Sequence, residues 1–271
     1  MFMNETAVKS AGLIAYERAM RRRAVLKTAA QILLLALLIA LWEVGVQKGW
    51  LNGFIFSSPS KIWLQLAKMI RSGELFYHLW VTTYETVIGF SLGTLIGVVV
   101  AVVLWLFPFV SKVLDPYLIV LNSIPKVALG PIFIVWMGSG TNAIITMALA
   151  ISVIVTIMMV HTGFKETDPD KIKLLQSFGA TRVQVLKKVV LPSALPSIIG
   201  ALKVNVGLSL VGIITGEFLV SQAGLGFLIV YGGQVFQLTL VMTSIIVLMV
   251  FAALLNVLVN LLEKFLFKNL R

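Results

Sequence analysis

The residues of this chain that could do chemistry are few, and most of them stand alone. Lys126 sits in Leu-Asn-Ser-Ile-Pro-Lys-Val-Ala-Leu-Gly-Pro, residues 121–131 of a long apolar run, where an unpaired cation costs about 2.5–3.5 kcal/mol in a bilayer. It must therefore face protein or a wet cavity, either on an ion- or substrate-facing passage or paired with helix-end carbonyls or a neighbouring chain. Asn122, Ser123, Thr146, Asn205 and Ser209 could line such a passage, although the same residue types serve as hydrogen-bond partners between helices. Lys203 is placed to snorkel toward headgroups rather than to act. Glu43, Glu85 and Glu217 fall near the ends of apolar runs, and the runs hold no carboxylate cluster. With no cysteine and two isolated histidines, His78 and His161, disulfides, thiol catalysis and thiolate metal sites are excluded. The chain contains no G-x4-G-K-[S/T], so it lacks the usual phosphate cradle, and no H-E-x-x-H or G-x-S-x-G. No cofactor is implied.

What must position these residues is a membrane. Of the 271 residues 59% are hydrophobic and 12% charged, against about 45–50% and about 25% in soluble domains. The fold class is therefore an all-α integral membrane protein of about six transmembrane helices, since each span needs about 20 apolar residues. Candidate spans are Ala29 to Val46, Val87 to Phe107, Tyr117 to Met137, Thr141 to Val160, Pro196 to Phe218 and Thr239 to Leu262. The basic run Arg21 to Lys27 precedes the first, but no small-x-small cleavage site follows, so the first span is read as uncleaved. Residues 1–28 form a cytoplasmic segment and 29–271 the transmembrane domain. The net charge of +11 brings no groove-reading motif with it, so nucleic acid is not an expected partner.

Charge sets the orientation. With the N-terminus inside, sixteen Lys and Arg residues fall in inner segments and four in outer ones, which places both termini in the cytoplasm. Trp42, Trp50, Trp63, Trp80 and Trp136 then mark the outer leaflet as an aromatic belt. Between the first two spans, Ser58 and Pro59 start a short helix that Gly73 ends, with Ile62, Leu66, Met69 and Ile70 on one face. That helix either lies on the membrane surface or packs on the span ends. In the second span Gly89, Gly93 and Gly97 recur every four residues, a face for close helix packing or, alternatively, for lining a pore.

Between the fourth and fifth spans the chain turns polar. Asp168 and Pro169 begin a helix bearing Ile172, Leu175 and Phe178, and Gly179 ends it in a left-handed conformation. Thr181 and Gln184 have capping-box spacing and start a second helix, which Pro192 breaks before Pro196 restarts the chain into the membrane. Leu174, Leu175 and Phe178 are thereby presented beyond the lipid, where a groove on a cytoplasmic partner would cover them. The alternative is a loop resting on headgroups through Lys187 and Lys188.

These features resemble the permease subunit of type I ATP-binding-cassette importers. The shared cytoplasmic motif of that family reads E-A-A-x3-G-x9-I-x-L-P; Gly179, Val189, Leu191 and Pro192 match it, whereas the E-A-A positions hold Lys173, Leu174 and Leu175. "SSPSKIW", "LNSIPKVALGPIFIVWMGSG" and "GEFLVSQAGLGFLI" resemble the branch importing nitrate, sulfonates, taurine and pyrimidine precursors. The resemblance implies an importer core at about 80–262 and a coupling elbow at 168–192, whose Lys173, Leu174, Leu175, Phe178, Gly179, Ala180, Thr181, Leu191 and Pro192 seat in or transmit from an ATPase. It also implies two ATPase subunits, a second permease copy forming a homodimer, and a substrate-binding protein outside. Glu217, Gly224, Leu225 and Gly226 would then belong to an outer gate, in a flexible loop that otherwise reads as a simple turn. The implied membrane is a bacterial or archaeal cell membrane.

Rival classes have weaker support. A secondary transporter would show repeated halves with paired intramembrane acids, a channel a filter motif, and neither is legible here.

Overall fold

A computed structural model describes residues 11–268. The chain divides into two units, residues 1–63 and 64–271. In the first, α1 (Ala11–Gln47) is one unbroken helix, of which Ala19–Gln47 is long and apolar enough to cross a membrane. From Leu26 to Leu41 its leucines and isoleucines are exposed, as for Ile32, Leu33 and Leu37, the distribution expected of a lipid-facing helix. Near its end Glu43 accepts hydrogen bonds from the Ser60 amide at 2.9 Å and the Ser60 hydroxyl at 2.8 Å. The carboxylate thus works as a cap at the start of α2 (Pro59–Ser72) alongside Ser58, which accepts from the Lys61 amide.

In the second unit the later part of α2 buries Met69 among Leu75, Leu225 and Leu228. This decides for a helix packed on the span ends, although Ile70 points outward. Gly73, at φ 78°, turns the chain into α3 (Glu74–Leu106). Three long helices make the centre: α3, α6 (Thr141–Lys165) and α9 (Leu191–Val220). They close because small residues meet in register. A Cβ at Gly89 would stand 3.0 Å from the Ala148 Cβ, one at Gly97 2.6 Å from the Thr156 Cβ, and one at Gly93 would collide with the Ser152 hydroxyl. The glycine face of the second span is therefore a packing face against α6. On its outer side α9 carries α10 (Leu225–Gln234) and α11 (Leu238–Lys268).

Three expectations need correction. The predicted third span is broken: α4 (Pro108–Ser123) and the segment Lys126–Met137, which holds a 3-10 turn and α5 (Gly130–Met137), meet at 87°. Pro125 forces Ile124 into an extended conformation (φ −68°, ψ 133°), and the helix cannot pass it. Neither Pro192 nor Pro196 interrupts the fifth span, because α8 (Arg182–Val185) runs through a π-turn at Leu186–Val190 into α9. There the Leu191 amide reaches back to the Leu186 carbonyl, a widened turn that makes room for a proline ring. Lys203, expected to snorkel toward headgroups, instead has its Nζ paired with Glu263 of α11 at 2.6 Å.

Candidate functional site

The elbow follows its local chemistry closely. α7 (Pro169–Ser177) starts where the Asp168 carboxylate accepts the Asp170 amide at 2.9 Å. It stops in a Schellman arrangement, with the Ala180 amide donating to the Leu175 carbonyl at 3.1 Å, the Gly179 amide to Gln176 at 2.9 Å, and Gly179 at φ 78°. Thr181 and Gln184 complete the capping box: the Thr181 hydroxyl accepts the Gln184 amide, and the Gln184 side chain accepts the Thr181 amide at 2.7 Å. Leu175, expected on the outer face, instead turns inward with Ile172 and Ala180 against Phe164, Val185 and Leu186. Phe178 and Leu174 remain outside, 80% and 58% exposed. Leu191 packs on that same core while Pro192 lies at the start of α9, and Lys173 is exposed beside Asp170. The elbow is thus rooted by one apolar face and offers another.

At the opposite end of α3, α6 and α9 lies a buried polar cluster. The Glu217 carboxylate accepts from the Thr82 hydroxyl at 2.6 Å and from the Gly226 amide at 2.5 Å. Thr82 in turn accepts the Leu225 amide at 2.8 Å, and His78 Nδ1 accepts the Gly224 amide at 2.9 Å. Thr141 donates to Glu85 at 3.0 Å, and Glu85 is buried on the same face of α3 as His78 and Thr82. Three successive amides of the 224–226 turn are therefore clamped by side chains from α3 and α9. Gly224 adopts φ 114°, and a Cβ there or at Gly226 would run into the Glu217 carboxyl group; the turn can close only on glycine. The loop expected to be flexible is thus a pinned helix start, and Glu217 and Glu85 each accept a hydroxyl from a neighbouring helix, Thr82 of α3 and Thr141 of α6.

Glu217, Gly224, Leu225 and Gly226 come together as expected, whereas His78, Thr82, Glu85 and Thr141 were missed. A signal existed: His78, Thr82, Glu85, Gly89, Gly93 and Gly97 lie at three- and four-residue steps on the buried face of α3.

The passage candidates separate into two groups. Asn205, buried, donates to Thr94 at 2.6 Å and accepts from Ser209, so this pair joins α3 to α9. Lys126 Nζ donates to the Asn122 carbonyl at 2.6 Å and side-chain oxygen at 3.1 Å, across the break after α4. Ser123 and Thr146 bond carbonyls of their own helices. Lys126 thus caps a helix end, the favourable partner for a cation. Lys126→Met is expected to lower the stability of the purified permease by about 1.5–3 kcal/mol, the worth of a hydrogen bond to a charged group. Thermal melting in detergent checks this; an unchanged melt with transport abolished would assign the lysine to the passage instead.

The family described as "Binding-protein-dependent transport system inner membrane component" matches residues 93–271. The chain belongs to this family. Members pair a membrane-spanning chain with a separate ATPase and a binding protein, so the chain is the permease subunit of an ATP-driven importer, a transport component rather than an enzyme. It is 31% identical over 238 residues to SsuC of Bacillus subtilis (strain 168), whose name assigns it to aliphatic sulfonates transport, covering 88% of this chain and 86% of that one. To the taurine transport system permease protein TauC of Escherichia coli (strain K12) it is 28% identical, over 82% of each chain. A structure of the MetNI methionine ABC transporter in an inward-facing conformation shares the fold, with a TM-score of 0.62 at 21% identity, covering 76% of this chain and 98% of that one.

Proposed function

We propose that residues 168–192 are the coupling elbow of the permease, seated in a cleft of the ATPase, and that the cluster around Glu217 is part of the outer gate. The observation that carries the first reading is the division of labour within α7: Leu175 and Ile172 root it on the core while Phe178 and Leu174 stand exposed next to a glycine-fixed corner. A rooted lever with an apolar tip transmits motion, whereas a loop resting on headgroups needs no such root. Lys173 occupies the position of the family's acid, so docking relies on shape and apolar contact. Gly179, Ala180 and Thr181 set the corner, and Leu191 and Pro192 join it to α9.

In this reading both termini are cytoplasmic, two copies of the chain form the passage, and two ATPase subunits sit below. The domains follow as a short cytoplasmic segment 1–28 and a transmembrane domain 29–271 with its core at 80–262. The substrate is a small anion, a sulfonate or a related nutrient precursor, as the names of the relatives suggest. Asn122, Ser123, Lys126, Thr146, Asn205 and Ser209 remain passage candidates.

Phe178→Asp and Leu174→Asp are each expected to cut co-purification of the ATPase by more than about tenfold, the scale of a buried interface anchor. Gly179→Val should keep the protein in the membrane yet lose stimulation of ATP hydrolysis by loaded binding protein. Wild-type retention and stimulation in all three variants would leave a lipid-resting loop. Orientation is checked separately: a cysteine at exposed Gln222 should react with a membrane-impermeant maleimide in intact cells and one at Ser10 should not.

A further inference from the structure

A cavity of about 550 Å³ lies on the elbow side, between the end of α3, the start of α4, the end of α6 and the elbow itself. The coupling reading makes no use of it. Its polar wall sets Lys112, Lys165 and Arg182 against one acid, Asp115. That acid is already engaged, accepting Lys165 Nζ at 3.0 Å and the Ser111 hydroxyl at 3.5 Å, with His161 Nδ1 at 3.9 Å. Ser111 and His161 are buried and hydrogen-bonded to each other at 3.2 Å, so they hold the wall in place. Arg182 gives one Nη1 donor to the Leu106 carbonyl at 3.0 Å, which leaves most of its five donors uncommitted. Lys112 has no ion-pair partner among the described residues. Facing these cations is an apolar wall of Leu104, Trp105 and Ile172.

Two uncompensated cations beside an apolar wall, at the ends of two helices long and apolar enough to cross a membrane, α3 and α6, suit an oxyanion carried on an aliphatic or lipid body. We propose that this cavity binds a phosphate-class oxyanion, supplied either by the headgroup of an anionic phospholipid or by a free anion in solution. Its access from the cytoplasm rests on the orientation proposed above; the chemistry does not. Because α3, α4 and α6 form one wall and α7 and Arg182 the other, an occupant ties the elbow to the spans and sets how stiffly nucleotide-driven motion is passed on.

The test uses the full-length permease without an ATPase, so that its failure is distinct from failure of the coupling reading. Native mass spectrometry after extraction from membranes containing phosphatidylglycerol should show that lipid retained by the wild-type chain. Retention should fall about tenfold or more in the Lys112→Ala/Arg182→Ala double variant, the loss expected when two charged donors go. Lys112 is exposed and has no ion pair to lose among the described residues, so Lys112→Ala alone, which keeps the Arg182–Leu106 hydrogen bond, should already lower retention several-fold; Asp115→Asn, which removes the acid lining the cavity, should strengthen retention. If the source is a free anion, inorganic phosphate or methanesulfonate will raise the melting temperature of the wild type but not of the double variant, and will displace the lipid. Equal lipid retention in wild type and double variant, with no anion-dependent shift in either, overturns the proposal, as does weaker retention in Asp115→Asn.

Discussion

Gly212→Val is expected to remove most of the folded permease from the membrane. A Cβ at Gly212 would lie 2.5 Å from the Ala148 Cα and 3.0 Å from its backbone nitrogen, so the obstacle is the α6 backbone, which cannot rotate aside as a side chain can. Overpacking a close-packed interior costs about 1–3 kcal/mol even where side chains adjust, and this contact belongs above that range. Gly216, which approaches the Ile144 Cα, makes the same demand one turn on. The helix supplies its own control: at Gly200 and Gly207, also on α9, a Cβ would meet nothing within 4 Å. Gly207→Val should therefore accumulate normally and elute as a single peak from size-exclusion chromatography, while Gly212→Val should be aggregated or absent. Equal behaviour of the two would mean that α6 and α9 do not meet as described.

Glu217→Ala is expected to leave the spans in place and release the turn at 224–226. The substitution strips acceptors from two buried donors, the Thr82 hydroxyl and the Gly226 amide, and each unsatisfied buried group costs about 1–3 kcal/mol. Local opening of α10 should become easier by that order, so amide exchange at Gly224 to Gly226 should speed up about 10–100-fold while exchange in the middle of α6 stays slow. Glu217→Gln keeps one acceptor oxygen and should restore part of the protection. In the assembled importer, Glu217→Ala should hydrolyse ATP with reduced dependence on loaded binding protein. Unaltered exchange in the turn would show that His78 and Thr82 hold it without the carboxylate.

Local rules carried much of this molecule. Asp168, Gly179 and the Thr181–Gln184 pair each act within four residues, so the elbow's corner was readable from residue types alone. The glycine steps on α3 likewise announced a packing face, because periodicity survives in any membrane environment. Other outcomes depended on residues far apart in the chain. Leu175 faces inward because the core built by Phe164, Val185 and Leu186 lies there; helical spacing could say only that Leu175 and Phe178 were near one side. Glu217 meets Thr82 across 135 residues, and Lys203 of α9 meets Glu263 of α11, pairings that no one-dimensional pattern encodes. Pro192 and Pro196 stay within a continuous helix because a π-turn and tertiary packing outweigh the missing amides, whereas Pro125 breaks its helix at a point where Lys126 can take up the freed carbonyl. A hydropathy pattern specifies which segments leave water; burial of polar groups without solvent then requires each to find a partner, and which partner it finds is set by how the helices pack.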